Sequence, residues 1–247
     1  MAGTPYYLAR VWNSARKLAA GLAPRGESVW PGVRNDLFVA HESIYSFVSR
    51  FVGGKCVLDA ACGTGYGCAT MAAAGALRVV GVDRDPRSLR YARRTFRGPN
   101  LQFCRGDCER LEFAPGSFDL IVSSNTLEHL NHPDLFLSDA HRLLMTGGAL
   151  LVAVPPITDQ RSLAQHRDIR IHRSNLLIDD WLKVFEATGW RAEAYRHIVR
   201  GGVTLDFNSP FESTVRPEDF KFPRSDRNGL YSQPTITAVF VLSPAAP

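Results

Sequence analysis

VLDAACGTGYG, residues 57–67, runs from a short apolar stretch directly into a turn holding Gly63, Gly65 and Gly67. A strand that ends in such a turn, with a helix after it, lets the backbone pass close to a ligand at the carboxyl edge of a sheet, where open α/β folds bind their ligands. The glycine spacing and the acid ahead of it narrow the ligand. A dinucleotide site wants G-x-G-x-x-G with a pyrophosphate on the helix N-terminus, whereas this turn reads G-x-G-x-G. The Asp59 carboxylate, four residues before Gly63, sits badly beside a pyrophosphate and well beside a ligand that carries an ammonium group.

Outward from that turn, β-rich runs and helical stretches alternate, the pattern of a parallel sheet covered on both faces. A helix through CATMAAAGA leads to the strand RVVGVD, a helix over 86–96 with Pro86 in its first turn, and the strands LQFCRGD and FDLIVSS. Leu135, Ala140, Leu143 and Leu144 give 134–144 a helical apolar face. Gly147 and Gly148 are expected to stop that helix ahead of the fifth strand, ALLVAVPP. Leu177, Trp181, Leu182 and Phe185 predict a helix over 176–188, followed by the strand WRAEAYRHI and a β-branched last strand, PTITAVFVLS. Between those two strands, 201–229 is polar, rich in Pro, Arg and Asp, and too long for a hairpin loop, so it reads as an insertion with a function. The sequence thus predicts an α/β protein with a Rossmann-like, doubly wound sheet, mostly parallel with an antiparallel last strand, plus N-terminal helices and the late insertion.

A chain of 247 residues, 45% hydrophobic and 21% charged, can bury a full core as one domain. Polar and basic residues interrupt the apolar pattern of 1–17, unlike the apolar core of a signal peptide, and no stretch approaches the ~18 apolar residues of a spanning helix. The expectation is a soluble, cytoplasmic protein with no membrane partner. Cysteines 56, 62, 68, 104 and 108 form no C-x-x-C pair, so they read as reduced thiols. The net charge of +5 is modest. Arg87, Arg90, Arg94 and Arg97 would share one helical face, read here as a solvated surface in preference to a nucleic-acid contact, because no aromatic interleaving or RNA-binding motif accompanies them.

A second acid, Asp83, ends RVVGVD where nucleotide folds hold ribose hydroxyls, a placement that NAD would fit equally well. The third, Asp107, follows LQFCRG, where a carboxylate and neighbouring backbone groups could bind an adenine. Three acids at three successive strand ends are the discriminating set. With the Gly-rich turn they resemble the class I S-adenosylmethionine (SAM)-dependent methyltransferases, specifically the small-molecule group called type 11, and the likeness spans 55–156. The resemblance implies that Asp59, Gly63 and Gly65 seat the methionyl part, Asp83 the ribose and Asp107 the adenine. Ala60, Arg84, Cys108 and Asn125 complete the expected cofactor set. It also implies a single methyltransferase domain over 1–247: a helical cap at 1–50, a cofactor-binding core at 55–156 and substrate-side elements at 157–247.

Methyl transfer from a sulfonium is an in-line displacement, and a hydroxyl acceptor must also lose a proton. After the fourth strand, SSNTLEHLNHP offers His129 as the base with Glu128 as its neighbour, and QHRDIRIHRSNLL offers His172, then His166, as a second source. Packing or helix capping explains such histidines equally well. The segment N-x-x-E-H resembles the E-x-x-E-H of magnesium-assisted ubiquinone-pathway and small-RNA methyltransferases. Asn125 replaces the first glutamate and removes a hard anionic ligand, so no metal is assigned and magnesium stays an alternative. The lead HESIYSF, with His41 and Tyr45, resembles a bacterial group found in polysaccharide and secondary-metabolite pathways, which implies a hydroxyl of a glycan or natural product as the small-molecule acceptor. An N-methyltransferase, an RNA methyltransferase, a non-catalytic SAM-binding partner protein acting through 201–229 and an NAD enzyme remain alternatives, and a homodimer is compatible with all of them.

Overall fold

A computed structural model describes residues 6–23 and 29–245; the parts of the expected cap at 1–5 and 24–28 lie outside the described residues. Helices α1 (Tyr6–Ala19) and α2 (Asp36–Val48) precede β1 (Cys56–Ala60), α3 (Tyr66–Ala73), β2 (Arg78–Asp83), α4 (Pro86–Thr95) and β3 (Leu101–Arg105). The chain continues through β4 (Phe118–Ser124), α5 (Pro133–Leu143), β5 (Leu144–Val154), α6 (Gln160–Arg167), α7 (Ile178–Ala187) and β6 (Trp190–Val199). It ends with β7 (Phe220–Lys221), β8 (Arg224–Ser225), α8 (Arg227–Ser232) and β9 (Thr237–Pro244). No described helix is long and apolar enough to cross a membrane.

The strands lie in the order β3-β2-β1-β4-β5-β9-β6-β7, with β8 paired to β6. β1 runs parallel to β2 on one side and to β4 on the other. The chain therefore winds outward from β1 in one direction and later in the other. The carboxyl ends of β1 and β4 flank the crevice that such a reversal opens. The last strand, β9, is antiparallel to both β5 and β6, as its expected direction required. Alternation along the strands divides the core between two faces. Leu58, Val80, Val82 and Ile121 pack with residues of α5 and α7, while Val57, Val79, Leu120 and Val122 pack with Ile44, Tyr45, Met71 and Leu89.

Two expectations change. Helix α5 is not stopped by glycine: Leu143 is its last residue, Leu144 already has extended geometry (φ −74°, ψ 139°), and β5 begins there. Gly147 and Gly148 lie within the strand. Pairing with β4 jumps from Phe118↔Leu144 to Leu120↔Ala149, and within that irregularity Gly147 takes φ +78°, a left-handed conformation that glycine adopts without strain. The insertion 201–229 is also more ordered than a loop. β7 and β8 pair with β6, and Val215 and Phe220 pack on Phe38, Val39 and Ala40 of α2. Asn35 caps α2 by accepting from Phe38 N and donates to Ser209 O, while Asp36 accepts from Asp206 N. These contacts clamp α2 over the crevice.

Candidate active site

The crevice at the carboxyl ends of β1, β2 and β4 is a cavity of about 510 Å³. Gly63, Asp83, Arg84, Asp107, Cys108, Asn125 and His129 all line it, although they come from four separate strand ends. Asp83 holds the turn together: its two oxygens accept from Gly63 N and Asp85 N, each at 2.8 Å. Burial raises its pKa, and those two backbone bonds oppose the rise. Asp107 is exposed on the rim and accepts from Glu109 N at 3.0 Å.

Among the described residues, Ala61 (φ +65°) and Asn125 (φ +49°) are the non-glycine residues with left-handed backbone. Both line the cavity, one just past β1 and the other just past β4. Such conformations cost energy and persist where the surroundings enforce them, as at ligand sites.

Five expected residues do not reach the cavity wall. Asp59 is fully buried, and its oxygens accept from Tyr45 Oη and Cys68 Sγ, each at 3.1 Å. Tyr45 stands on the wall in its place. Burial pushes the Asp59 carboxyl up to about 7. Ala60 faces the opposite core, because adjacent strand residues point to opposite faces. Gly65 caps α3 at φ +83°, and a Cβ there would lie 2.7 Å from Ala92 Cβ and 2.8 Å from the Phe103 ring. It shapes the turn rather than the wall. Glu128 and His172 lie behind His129.

That cluster is tied together through the backbone. Glu128 O accepts from Arg173 N (2.6 Å) and Ser174 N (3.0 Å), which draws the loop after α6 against the turn after β4. His129 Nδ1 donates to Ile171 O at 3.1 Å, and the His129 and His172 ring centroids are 5.0 Å apart. His166 and His172 approach Nδ1 to Nδ1 at 3.3 Å. Glu128 is 3% exposed, its Oε2 finds no hydrogen-bond partner among the described residues, and burial pushes its carboxyl up to about 8. Burial, aided by His129 and His166, lowers His172 to about 4. At neutral pH the free cluster thus holds a protonated carboxyl and a neutral His172. Burial also raises the Cys68 and Cys108 thiols, so both stay protonated and are poor nucleophiles.

The helical side of the cavity was weakly marked in sequence. His41 and Tyr45, four residues apart on α2, share a face and both line the wall. Asn125 Nδ2 lies 3.5 Å from His41 Nδ1, and burial lowers His41 to about 4, leaving it a neutral acceptor. Asp85 and Ser88 were not expected. Their signal was the Asp85-Pro86 start of α4, where Asp85 accepts from Arg87 N and Ser88 N.

A parallel sheet with a Gly-rich turn after β1, an acid ending β2 and another past β3 defines a Rossmann-like nucleotide-binding protein. A methyltransferase-domain family matches residues 57–148. A Mycolicibacterium smegmatis protein named "Probable S-adenosylmethionine-dependent methyltransferase" is 30% identical over 181 residues, covering 71% of this chain and 68% of that one. A demethylmenaquinone methyltransferase of Renibacterium salmoninarum is 39% identical over 102 residues, 41% of this chain and 42% of its own. Two Mycobacterium tuberculosis relatives are spanned over about half their length, 49%. A SAM-dependent methyltransferase from Mesorhizobium loti shares the fold at a TM-score of 0.60 and 19% identity, over 83% of this chain and 98% of that one. The chain belongs to the SAM-dependent methyltransferases.

Proposed function

We propose that this chain transfers a methyl group from SAM to a hydroxyl of a small glycan or natural product. The observation that carries the reading is the meeting of Gly63, Asp83 and Asp107 with Asn125 and His129 on one cavity wall. Asp83 holds the ribose hydroxyls, Asp107 and the backbone beside Cys108 the adenine, and Gly63 the methionyl part, with Asp59 acting through Tyr45. Arg84 and Asn125 complete the donor wall. Gly65 and Ala60 contribute by shaping and backing the turn.

The acceptor oxygen attacks the methyl carbon in line with the sulfur. A C–O bond forms, the S–CH3 bond breaks with its electron pair left on sulfur, and the hydroxyl proton leaves toward the Glu128–His129–His172 cluster. In the simplest form His129, the member on the wall, accepts it. Leu22, Val29 and Leu130 add apolar wall that suits an acceptor with a hydrocarbon part.

Two measurements test the halves separately. Asp83→Ala removes a hydrogen-bond acceptor for the ribose and for Gly63 N, so calorimetry should find S-adenosylhomocysteine binding weakened about tenfold. Unchanged affinity would remove Asp83 from the donor site. His129→Ala should leave that affinity intact and lower turnover at least about tenfold across a panel of sugar and phenolic acceptors. Full turnover in that variant would take His129 out of the reaction.

A further inference from the structure

We propose that α1, together with the loop after α6, docks the protein on an anionic lipid bilayer with the mouth of the donor cavity at the headgroups. α1 turns its apolar side to solvent. Val11, Ala15 and Leu18 fall at i, i+4 and i+7, Trp12 and Ala19 join that face, and all five are exposed, Trp12 at 68% and Leu18 at 64%. The polar side turns inward. Asn13, Ser14 and Lys17 are half-buried, Asn13 Oδ1 accepts from Trp30 Nε1 at 3.3 Å, and burial lowers the pKa of the Lys17 ammonium. A helix on the surface of a globular domain has the reverse arrangement, apolar stripe inward and polar face to water.

Charge identifies what covers this face. Residues 1–26 carry Arg10, Arg16, Lys17 and Arg25 and no acid. Arg16 is exposed on the flank of the apolar stripe, where its guanidinium would reach lipid phosphates while Trp12 and Leu18 enter the acyl boundary. Tryptophan suits that boundary because its ring is apolar and its N–H polar. The loop after α6 repeats the composition. Exposed Ile169 and Ile171 are interleaved with exposed Arg167, Arg170 and Arg173, and Asp168 is the only acid in 160–178. A second copy of the chain fits less well, since five side chains on one helix present less than the about 800 Å² per partner that a stable dimer buries. A nucleic acid would take the arginines and leave Leu18, Ile169 and Ile171 in water.

Both segments border the donor cavity. Leu22 N donates to Lys17 O at 2.9 Å at the end of α1, and Leu22 and Ala23 line the cavity. Ile171 O accepts from His129 Nδ1, and His129 lines the cavity as well. No described helix is long and apolar enough to span a bilayer, so the contact is with its surface. The expectation of no membrane partner considered only leader and spanning segments, and an interfacial helix is neither. An acceptor anchored in the bilayer by a hydrocarbon part would meet the cavity at its mouth. That use rests on the acceptor reading above, whereas the docking does not.

The test is sedimentation of the full chain with vesicles of phosphatidylglycerol and phosphatidylcholine in equal parts, and with vesicles of phosphatidylcholine alone. The wild type should partition onto the anionic vesicles at least about tenfold more strongly, and about 0.5 M salt should remove most of that preference. Its tryptophan emission should shift to the blue on binding, because Trp12 is exposed whereas Trp30, Trp181 and Trp190 are buried. Trp12→Glu and Leu18→Glu should each weaken partitioning at least about tenfold. Leu77→Glu should not, because Leu77 is exposed but precedes β2, at the edge of the sheet opposite the cavity. S-adenosylhomocysteine titration of the same samples reports folding and the donor site. Intact donor binding without partitioning onto anionic vesicles overturns the docking surface and leaves the donor reading standing. Partitioning that Trp12→Glu and Leu18→Glu leave unchanged also overturns it, as does tighter binding to a single-stranded RNA or self-association that the two variants abolish.

Discussion

Gly65→Val is expected to lower the melting temperature by roughly 5–15 °C, at about 2–4 °C per kcal/mol for a chain of this size. Two costs add. Gly65 holds φ +83°, a conformation that costs other residues about 1–2 kcal/mol and is least tolerated by β-branched ones. Its Cβ would also fall 2.7 Å from Ala92 Cβ and 2.8 Å from Phe103 Cε1, which joins α4 and β3 to the turn and adds about 1–3 kcal/mol of overpacking. Gly54→Val separates the two costs, because Gly54 has φ +69° and nothing within 4 Å of its would-be Cβ. If the two variants melt together, close packing at Gly65 has no part in the effect. The same substitution should also displace Gly63 from the Asp83 carboxylate and cost donor affinity.

The contrast between these two glycines shows what a single sequence discloses. The run 57–67 is legible because its information is local: an apolar strand, a glycine turn and an acid at a fixed offset. β2 and β3 were legible for the same reason, and Asp83 and Asp107 followed from their ends. Side-chain direction was only half legible. Strand alternation already says that Asp59 and Ala60 point to opposite faces, so both could not line one cavity, and the fold sends Asp59 toward α2 and Ala60 into the far core.

Non-local contacts were not legible. His41 meets Asn125 from a helix 84 positions earlier. His172 reaches His129 because the Glu128 carbonyl accepts from Arg173 and Ser174, a pairing without periodicity. The end of α5 was missed because a glycine after a helical pattern usually marks a C-cap, whereas here pairing with β4 claims Leu144 first and uses Gly147 for a bulge.

Asp59→Asn is expected to change how stability depends on pH, with the sign fixed by burial. The Asp59 carboxyl stands at about 7 in the fold against an ordinary value of 3.8. The folded state therefore binds its proton more tightly than the unfolded chain does. Stability falls as pH rises from about 4 to about 7 and levels above that, a total of about 4 kcal/mol for about 3 pH units at 1.36 kcal/mol each. Asparagine does not titrate, yet can still accept from Tyr45 Oη. In urea unfolding without ligand, the variant's stability relative to wild type should rise by about 2 kcal/mol between about pH 5.5 and 8. Taking the difference between the two proteins cancels the other titrating groups, including Glu128 and His41. Parallel pH curves would mean that Asp59 does not carry this charge cost. On the proposed placement of the methionyl part, a ligand ammonium beyond Tyr45 would offset this loss, since a nearby cation lowers the carboxyl's pKa. S-adenosylhomocysteine should then stabilise the wild type more at pH 8 than at pH 5.5, and Asp59→Asn by nearly the same amount at both, which is why a fold would keep a buried carboxylate that weakens it when empty.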